Sequence, residues 1–146
     1  FWFGPEKLDF PLDESKVKGE GGSMMGSGSV VAMDETTCMV RAGWRLVRFF
    51  ERESCGQCTP CREGSSWLEK IMYRIESGSG RMEDLDLLMD VCDNISPGVQ
   101  WPSKWPPNMT TICPLGPSIP PPIVSSLGMF REEFLLHIKD GGCPYD

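Results

Sequence analysis

From residue 37 onward, apolar positions recur at steps of three and four along most of the chain. In CMVRAGWRLVRFFERE, Val40, Trp44, Val47 and Phe50 fall on one side of a helix predicted over 37–51. A second predicted helix takes Thr59 as its N-cap and Pro60 at its first position, where a missing N–H costs nothing. Its apolar face is Trp67, Leu68, Ile71, Met72 and Ile75, and Gly78 ends it. A third, over 83–94, gathers Leu85, Leu88, Met89, Cys92 and the following Ile95. A fourth, over 123–139, aligns Ile123, Leu127, Phe130, Phe134 and Ile138, with Gly141 and Gly142 beyond it as a stop. Four amphipathic helices predict a mainly α fold, a four-helix bundle.

Two stretches break this period. Residues 1–29 are irregular, with Pro5, Pro11, the run Gly19-Glu20-Gly21-Gly22 and the turn Gly26-Ser27-Gly28-Ser29. Val30-Val31-Ala32-Met33 then reads as one short strand bounded by turn residues. The GSGS element lacks the Lys-Ser/Thr of a phosphate-binding loop and the third glycine of a dinucleotide fingerprint, so it reads as a plain turn. Residues 96–122 are rich in proline and carry Trp101 and Trp105; they are predicted to hold neither helix interior nor central strand. The resulting division is an irregular, partly β segment over 1–36 and a helical domain over 37–146.

A length of 146 residues suits one domain, or a domain with a fragment of another, and is enough to bury a core without covalent staples. The net charge of −7 and a pI near 4.7 argue against nucleic acid or anionic lipid as partners, since phosphate binding needs clustered Lys and Arg. No apolar run approaches the roughly 20 residues of a bilayer span, so no direct membrane insertion is expected. The opening FWFGPEKLDF has no initiator Met, basic n-region or amphipathic leader, so a processed chain or a piece of a longer one is expected. Seven cysteines, three of them crowded together, fit a reducing compartment and a metal site better than a secreted disulfide framework.

The crowded cysteines stand in ESCGQCTPCREG, where Cys55, Cys58 and Cys61 form C-x2-C-x2-C. Such a run lets one loop present thiolates to three irons of an iron–sulfur cube, with a fourth thiolate coming from elsewhere. Among Cys38, Cys92, Cys113 and Cys143, Cys113 is the preferred fourth ligand, because TICPLG is a loop in which a thiolate can point freely. Cys92 reads as a small core residue, and Cys38 and Cys143 as free thiols. Pro60 puts Cys61 in the first turn of a helix, whose free N–H groups and positive dipole end favour an anionic cluster. Gly56 and Gly64 are read as allowing close backbone approach to it, and Arg62 either adds positive charge there or faces water. Zinc competes, but structural zinc sites prefer two separated C-x2-C pairs. A C-x-x-C redox pair is opposed by the third cysteine and the missing βαβ pattern. His137, the sole histidine, reads as a solvated surface residue, and no catalytic residue is expected.

ESCGQCTPCREG together with TICPLG resembles the NADH-binding, FMN-carrying subunit of respiratory complex I. The stretch from Gly28 to Asp34, Arg48-Phe49-Phe50 and Phe130-Arg131-Glu132-Glu133-Phe134 extend the likeness over nearly the whole chain. That resemblance covers the C-terminal part of the family chain and implies the end of a β-grasp domain followed by a helical domain holding one [4Fe–4S] cluster. It implies Cys55, Cys58, Cys61 and Cys113 as the cluster ligands, single electrons arriving from flavin, and the other subunits of a complex I peripheral arm as partners. It implies a peripheral location, at the cytoplasmic face of a bacterial inner membrane or the mitochondrial matrix side. The glycine-rich loops for FMN and NADH precede this region in the family, so this chain alone is expected neither to bind nor to oxidise NADH. Two departures stand out: the stretch 96–110, a family-foreign surface loop, partner-docking loop using Trp101 and Trp105, or sequence error or unspliced segment, and Pro117 where the family tends to have a capping Asp. The alternatives are a zinc-stabilised or degenerate assembly module without redox activity, and the matching subunit of a NAD-linked hydrogenase or formate dehydrogenase.

Overall fold

A computed structural model describes residues 1–20, 24–104 and 106–145. Gly21, Gly22 and Trp105, singled out above, lie outside the described residues. The chain runs through a 3₁₀ turn at Pro5–Lys7, then α1 (Glu14–Gly19), α2 (Met39–Glu53), α3 (Thr59–Glu76), α4 (Glu83–Ile95), α5 (Leu115–Ser118), α6 (Pro120–Met129) and α7 (Arg131–Asp140). The fold is mainly α, and no strand occurs among the described residues. Val30 and Val31 are 64% and 73% exposed in irregular chain, so the expected strand does not form. An extended segment needs a neighbour to take up its backbone N–H and C=O groups, and none is adjacent.

The periodic helices form where their apolar stripes predict. α2 buries Val40 and Val47, α3 buries Leu68, Ile71, Met72 and Ile75, and α4 buries Leu85, Leu88, Cys92 and Ile95. Trp67 is a departure, 54% exposed at the edge of the α3 stripe. α2 packs on α3, α3 on α4, and α6 on both α2 and α4, while α7 lies against α3. Two helix crossings depend on glycine for their close approach. A Cβ at Gly43 would meet Met72 Cε at 3.0 Å, and one at Gly64 would meet Ile95 Cδ1 at 2.7 Å.

The expected helix over 123–139 is two helices with a break at Phe130, which has φ −124° and ψ 29°. α6 also begins earlier than expected, at Pro120, because three prolines in a first turn lack only N–H groups that no helix would use. Rather than showing one apolar stripe, α6 is buried from Pro120 through Leu127. The N-terminal segment covers it, with Trp2 Nε1 donating to Pro122 O at 3.1 Å and to Ser126 Oγ at 2.6 Å. Trp101 covers it from the other direction, its ring filling the space a Cβ at Gly128 would need. The turn at Phe130 swings α7 onto α3 and carries Phe134 and His137 inward. His137 is therefore fully buried, contrary to the surface position expected of it; its Nδ1 lies 2.8 Å from Glu133 O.

Candidate metal centre

α2 stops at Ser54, whose N–H still reaches Phe50 O at 3.0 Å while its backbone has turned extended. The chain reverses through Gly56 at φ +79°, a left-handed conformation that favours glycine, and enters α3. Cys58, not Thr59, is the N-cap, in an extended conformation and with no side-chain capping bond. Thr59 and Pro60 are the first helical residues. The three thiols thus sit on one turn: Cys55 exposed in the loop, Cys58 half-buried at the cap, and Cys61 buried in the first turn of α3. Free N–H groups of that turn and the positive end of an eighteen-residue helix face the same region.

Neighbouring groups hold the turn in shape. Ser54 Oγ accepts from Gly56 N–H at 3.3 Å and lies 3.3 Å from Cys61 Sγ, so its hydroxyl can donate to that sulfur as a thiolate. Arg62 donates from Nη1 to Gly56 O at 2.6 Å and from Nε to Glu63 at 2.9 Å. Its role is to brace the loop, rather than to point into a cluster or simply into water. Gly56 serves the backbone turn, since no atom lies closer to its missing Cβ than Arg62 Cδ at 3.8 Å, and Gly64 serves the packing of α3 on α4.

Cys113 reaches this region from the loop held against the C-terminal end of α4. Thr110 Oγ1 donates to Ile95 O at 2.7 Å, and Thr111 Oγ1 donates to Cys113 O at 2.9 Å, which fixes the loop just before α5. A Cβ at Gly116 would fall 2.4 Å from Thr111 Oγ1, so α5 can press on the loop only with glycine there. The loop then points the N–H of Ile112 at Cys58 Sγ, 3.3 Å away, with Cys113 exposed beside it. Pro117 is buried within α5 and leaves the loop in this position. All-thiol donors, sulfurs met by an amide and a hydroxyl, and a helix N-terminus suit a thiolate-ligated, anionic iron–sulfur cluster.

The stretch 96–110 is anchored to the core rather than free. Ser96 Oγ donates to Asn108 O at 2.7 Å, Asn108 Nδ2 to Pro97 O at 2.7 Å, and Gly98 N–H to Asp93 Oδ1 at 2.7 Å. Trp101 is partly buried, with its ring packed onto α6 at Gly128.

The model of the NADH-ubiquinone oxidoreductase-F iron-sulfur binding region matches residues 41–137, a span that contains both the cysteine turn and the Cys113 loop. The chain belongs to this family. The NADH-quinone oxidoreductase F subunit of Streptomyces coelicolor is 47% identical over 144 residues, covering 99% of this chain and 29% of that protein. Its counterpart in Mycobacterium tuberculosis is 45% identical over 141 residues, 97% of this chain and again 29% of that protein. The chain therefore spans 29% of the length of these curated relatives. Among solved structures, the NAD+-reducing [NiFe]-hydrogenase in its H2-reduced state superposes with a TM-score of 0.59 and 25% identity, over 78% of this chain and 17% of that one. No helix among the described residues of this family member is long and apolar enough to cross a membrane.

Sequence reasoning missed the Ile112 amide and the Thr111–Gly116 contact, neither of which has a signal in residue types. Ser54 did carry one, as a hydroxyl residue directly ahead of the first cysteine of the run.

Proposed function

We propose that this chain is the electron-relay part of the F subunit of an NADH–quinone oxidoreductase, with Cys55, Cys58, Cys61 and Cys113 as the four ligands of one [4Fe–4S] cluster. The carrying observation is the convergence of the Cys113 loop on the cysteine turn, with Ile112 N–H directed at Cys58 Sγ, inside the span matched by the iron–sulfur family. A bound cluster supplies a one-electron couple, here between flavin and the carriers that lead to quinone. The chain's own part is electrostatic and geometric. The first turn of α3 offsets the negative charge of the thiolates, Ser54 and the Ile112 amide donate to sulfur, and Arg62 keeps the loop shape fixed. FMN and NAD belong to the remainder of the full-length protein, so the chain by itself is no catalyst. Its partners are the other subunits of a complex I peripheral arm, held at the cytoplasmic face of a bacterial inner membrane or on the matrix side of the mitochondrial one. Residues 37–146 form the cluster-binding domain, a four-helix bundle of α2, α3, α4 and the α6–α7 pair, and residues 1–36 are the end of a β-grasp-like segment.

Anaerobic purification should yield about four iron and four sulfide per chain, with an EPR signal on reduction. Cys113→Ser should lose or alter that signal, whereas Cys92→Ser, in the core of α4, should retain it. A colourless, iron-free protein would overturn the reading in favour of a non-redox module. A second reading, the matching subunit of a NAD-linked hydrogenase, draws on the likeness to the NAD+-reducing [NiFe]-hydrogenase. Co-purification from the source cell separates the two, by whether quinone-reductase or hydrogenase subunits accompany the chain.

A further inference from the structure

At the other end of α3, four side chains from four parts of the chain meet. Cys38 is the N-cap of α2, Glu76 the last residue of α3, His137 lies in α7, and Cys143 follows α7. One ligand atom from each lies within 4.8 Å of all the others, and the first three residues are buried. Cys38 Sγ stands 3.3 Å from His137 Nε2 and 3.7 Å from Glu76 Oε2, and His137 Nε2 stands 3.3 Å from Glu76 Oε2. Those three separations match one face of a tetrahedron around an ion at ordinary metal–sulfur and metal–nitrogen distances, about 2.3 Å and 2.0 Å, and Cys143 stands at the fourth corner, within 4.8 Å of the others.

We propose that this group is a structural zinc site, separate from the iron–sulfur ligands. The histidine carries the argument furthest. A backbone carbonyl can only accept, so the 2.8 Å contact between His137 Nδ1 and Glu133 O puts the ring proton on Nδ1. Nε2 is then the ring atom that faces the group, 3.3 Å from a carboxylate oxygen of Glu76. Either a second ring proton or a metal ion lies between these two atoms, and the two thiols within 4.8 Å of them favour the metal ion, whose shell they complete. A histidine held through its second nitrogen by a carbonyl is also the usual outer support of a metal ligand.

Charge and position agree with this assignment. Zinc binding releases the two thiol protons to solvent, and two thiolates, one carboxylate and one dication leave a single net negative charge. Arg41 Nε donates to the other Glu76 oxygen at 2.5 Å, and Arg41 N–H donates to Cys38 Sγ at 3.2 Å. A closed set of four protein ligands leaves no open position for substrate, which is the mark of a structural site. The ion would pin α7 and the chain after it to the start of α2 and the end of α3. Fifteen residues of helix at 1.5 Å each separate Glu76 from Cys61, so the two metal centres stand about 22 Å apart.

The test is elemental analysis and zinc X-ray absorption on the purified, iron-loaded chain. The expected result is one zinc per chain with a shell of two sulfurs and two nitrogen or oxygen atoms. Cys38→Ser keeps a good N-cap residue, so the fold is retained while the thiolate is lost. That variant and His137→Gln should each lose the zinc and keep the iron and its EPR signal, while Cys55→Ser should lose iron and keep zinc. Zinc with a four-sulfur shell, zinc that survives both Cys38→Ser and His137→Gln, or a zinc-free chain would each overturn the proposal, leaving a buried hydrogen-bonded network only.

Discussion

The backbone N–H of Ile112 points at the sulfur of Cys58 from 3.3 Å, although 54 residues separate the two. The loop that makes this contact is held by Thr111, and Thr111 is held by the absence of a side chain at Gly116. A shift of the loop would therefore be felt first at Cys58 and the other proposed cluster ligands, before it reached the core.

Gly116→Ala tests that dependence. The new Cβ would sit 2.4 Å from Thr111 Oγ1, and relief requires the loop or α5 to move. Stability should fall by about 1–3 kcal/mol, as for other overpacked sites. Iron per chain should fall with it, measured against Gly19→Ala, where a Cβ meets open space.

Gly64→Ala sets two effects against each other. Alanine in a helix interior gains about 1 kcal/mol over glycine in propensity. Its Cβ would also lie 2.7 Å from Ile95 Cδ1 in a fully buried seam, an overpacking that costs about 1–3 kcal/mol. Overpacking should win, and chemical denaturation should show a net loss; a more stable variant would show that α3 and α4 separate freely.

Asp84 governs the acid limb of stability. Burial alone would raise its pKa. Arg74 Nε at 2.9 Å, the Arg81 N–H at 2.8 Å and the two guanidinium charges more than reverse this, and the carboxyl is held below its ordinary value of 3.8. Because the folded chain keeps this group ionised to lower pH than the unfolded chain does, its contribution is complete above that ordinary value and is lost as pH falls through the folded one. Asp84→Asn should cost about 2 kcal/mol near neutral pH, less than a fully buried pair, since Arg74 remains 34% exposed. The gap between variant and parent should narrow in urea titrations carried out below pH of about 4.

Trp101→Ala distinguishes packing from docking. The ring covers α6 at Gly128, so its removal should lower stability by about 2 kcal/mol, below the roughly 3–5 kcal/mol of a fully buried aromatic. A variant that keeps full stability but loses a partner subunit in pull-down would assign the stretch 96–110 to docking instead.

Residue order by itself determined the elements whose causes are local. The stripes of α2, α3 and α4, the proline-led start of α3 and the spacing of Cys55, Cys58 and Cys61 all follow from neighbours within a turn or two. The choice of Cys113 as the fourth ligand also rests on a local cause, because a thiol in a short loop differs from one on an apolar helix face. What the tertiary structure alone decided has its causes far away in sequence. α6 is buried all round, and so shows no stripe, because Trp2 and Trp101 cover it from two sides. The docking of α7 after the turn at Phe130 buries His137, for which a surface position was expected. Cys38 and His137 come within 3.3 Å across 99 residues, and no periodicity carries information over that distance; only the docking of α7 onto α2 and α3 brings them together.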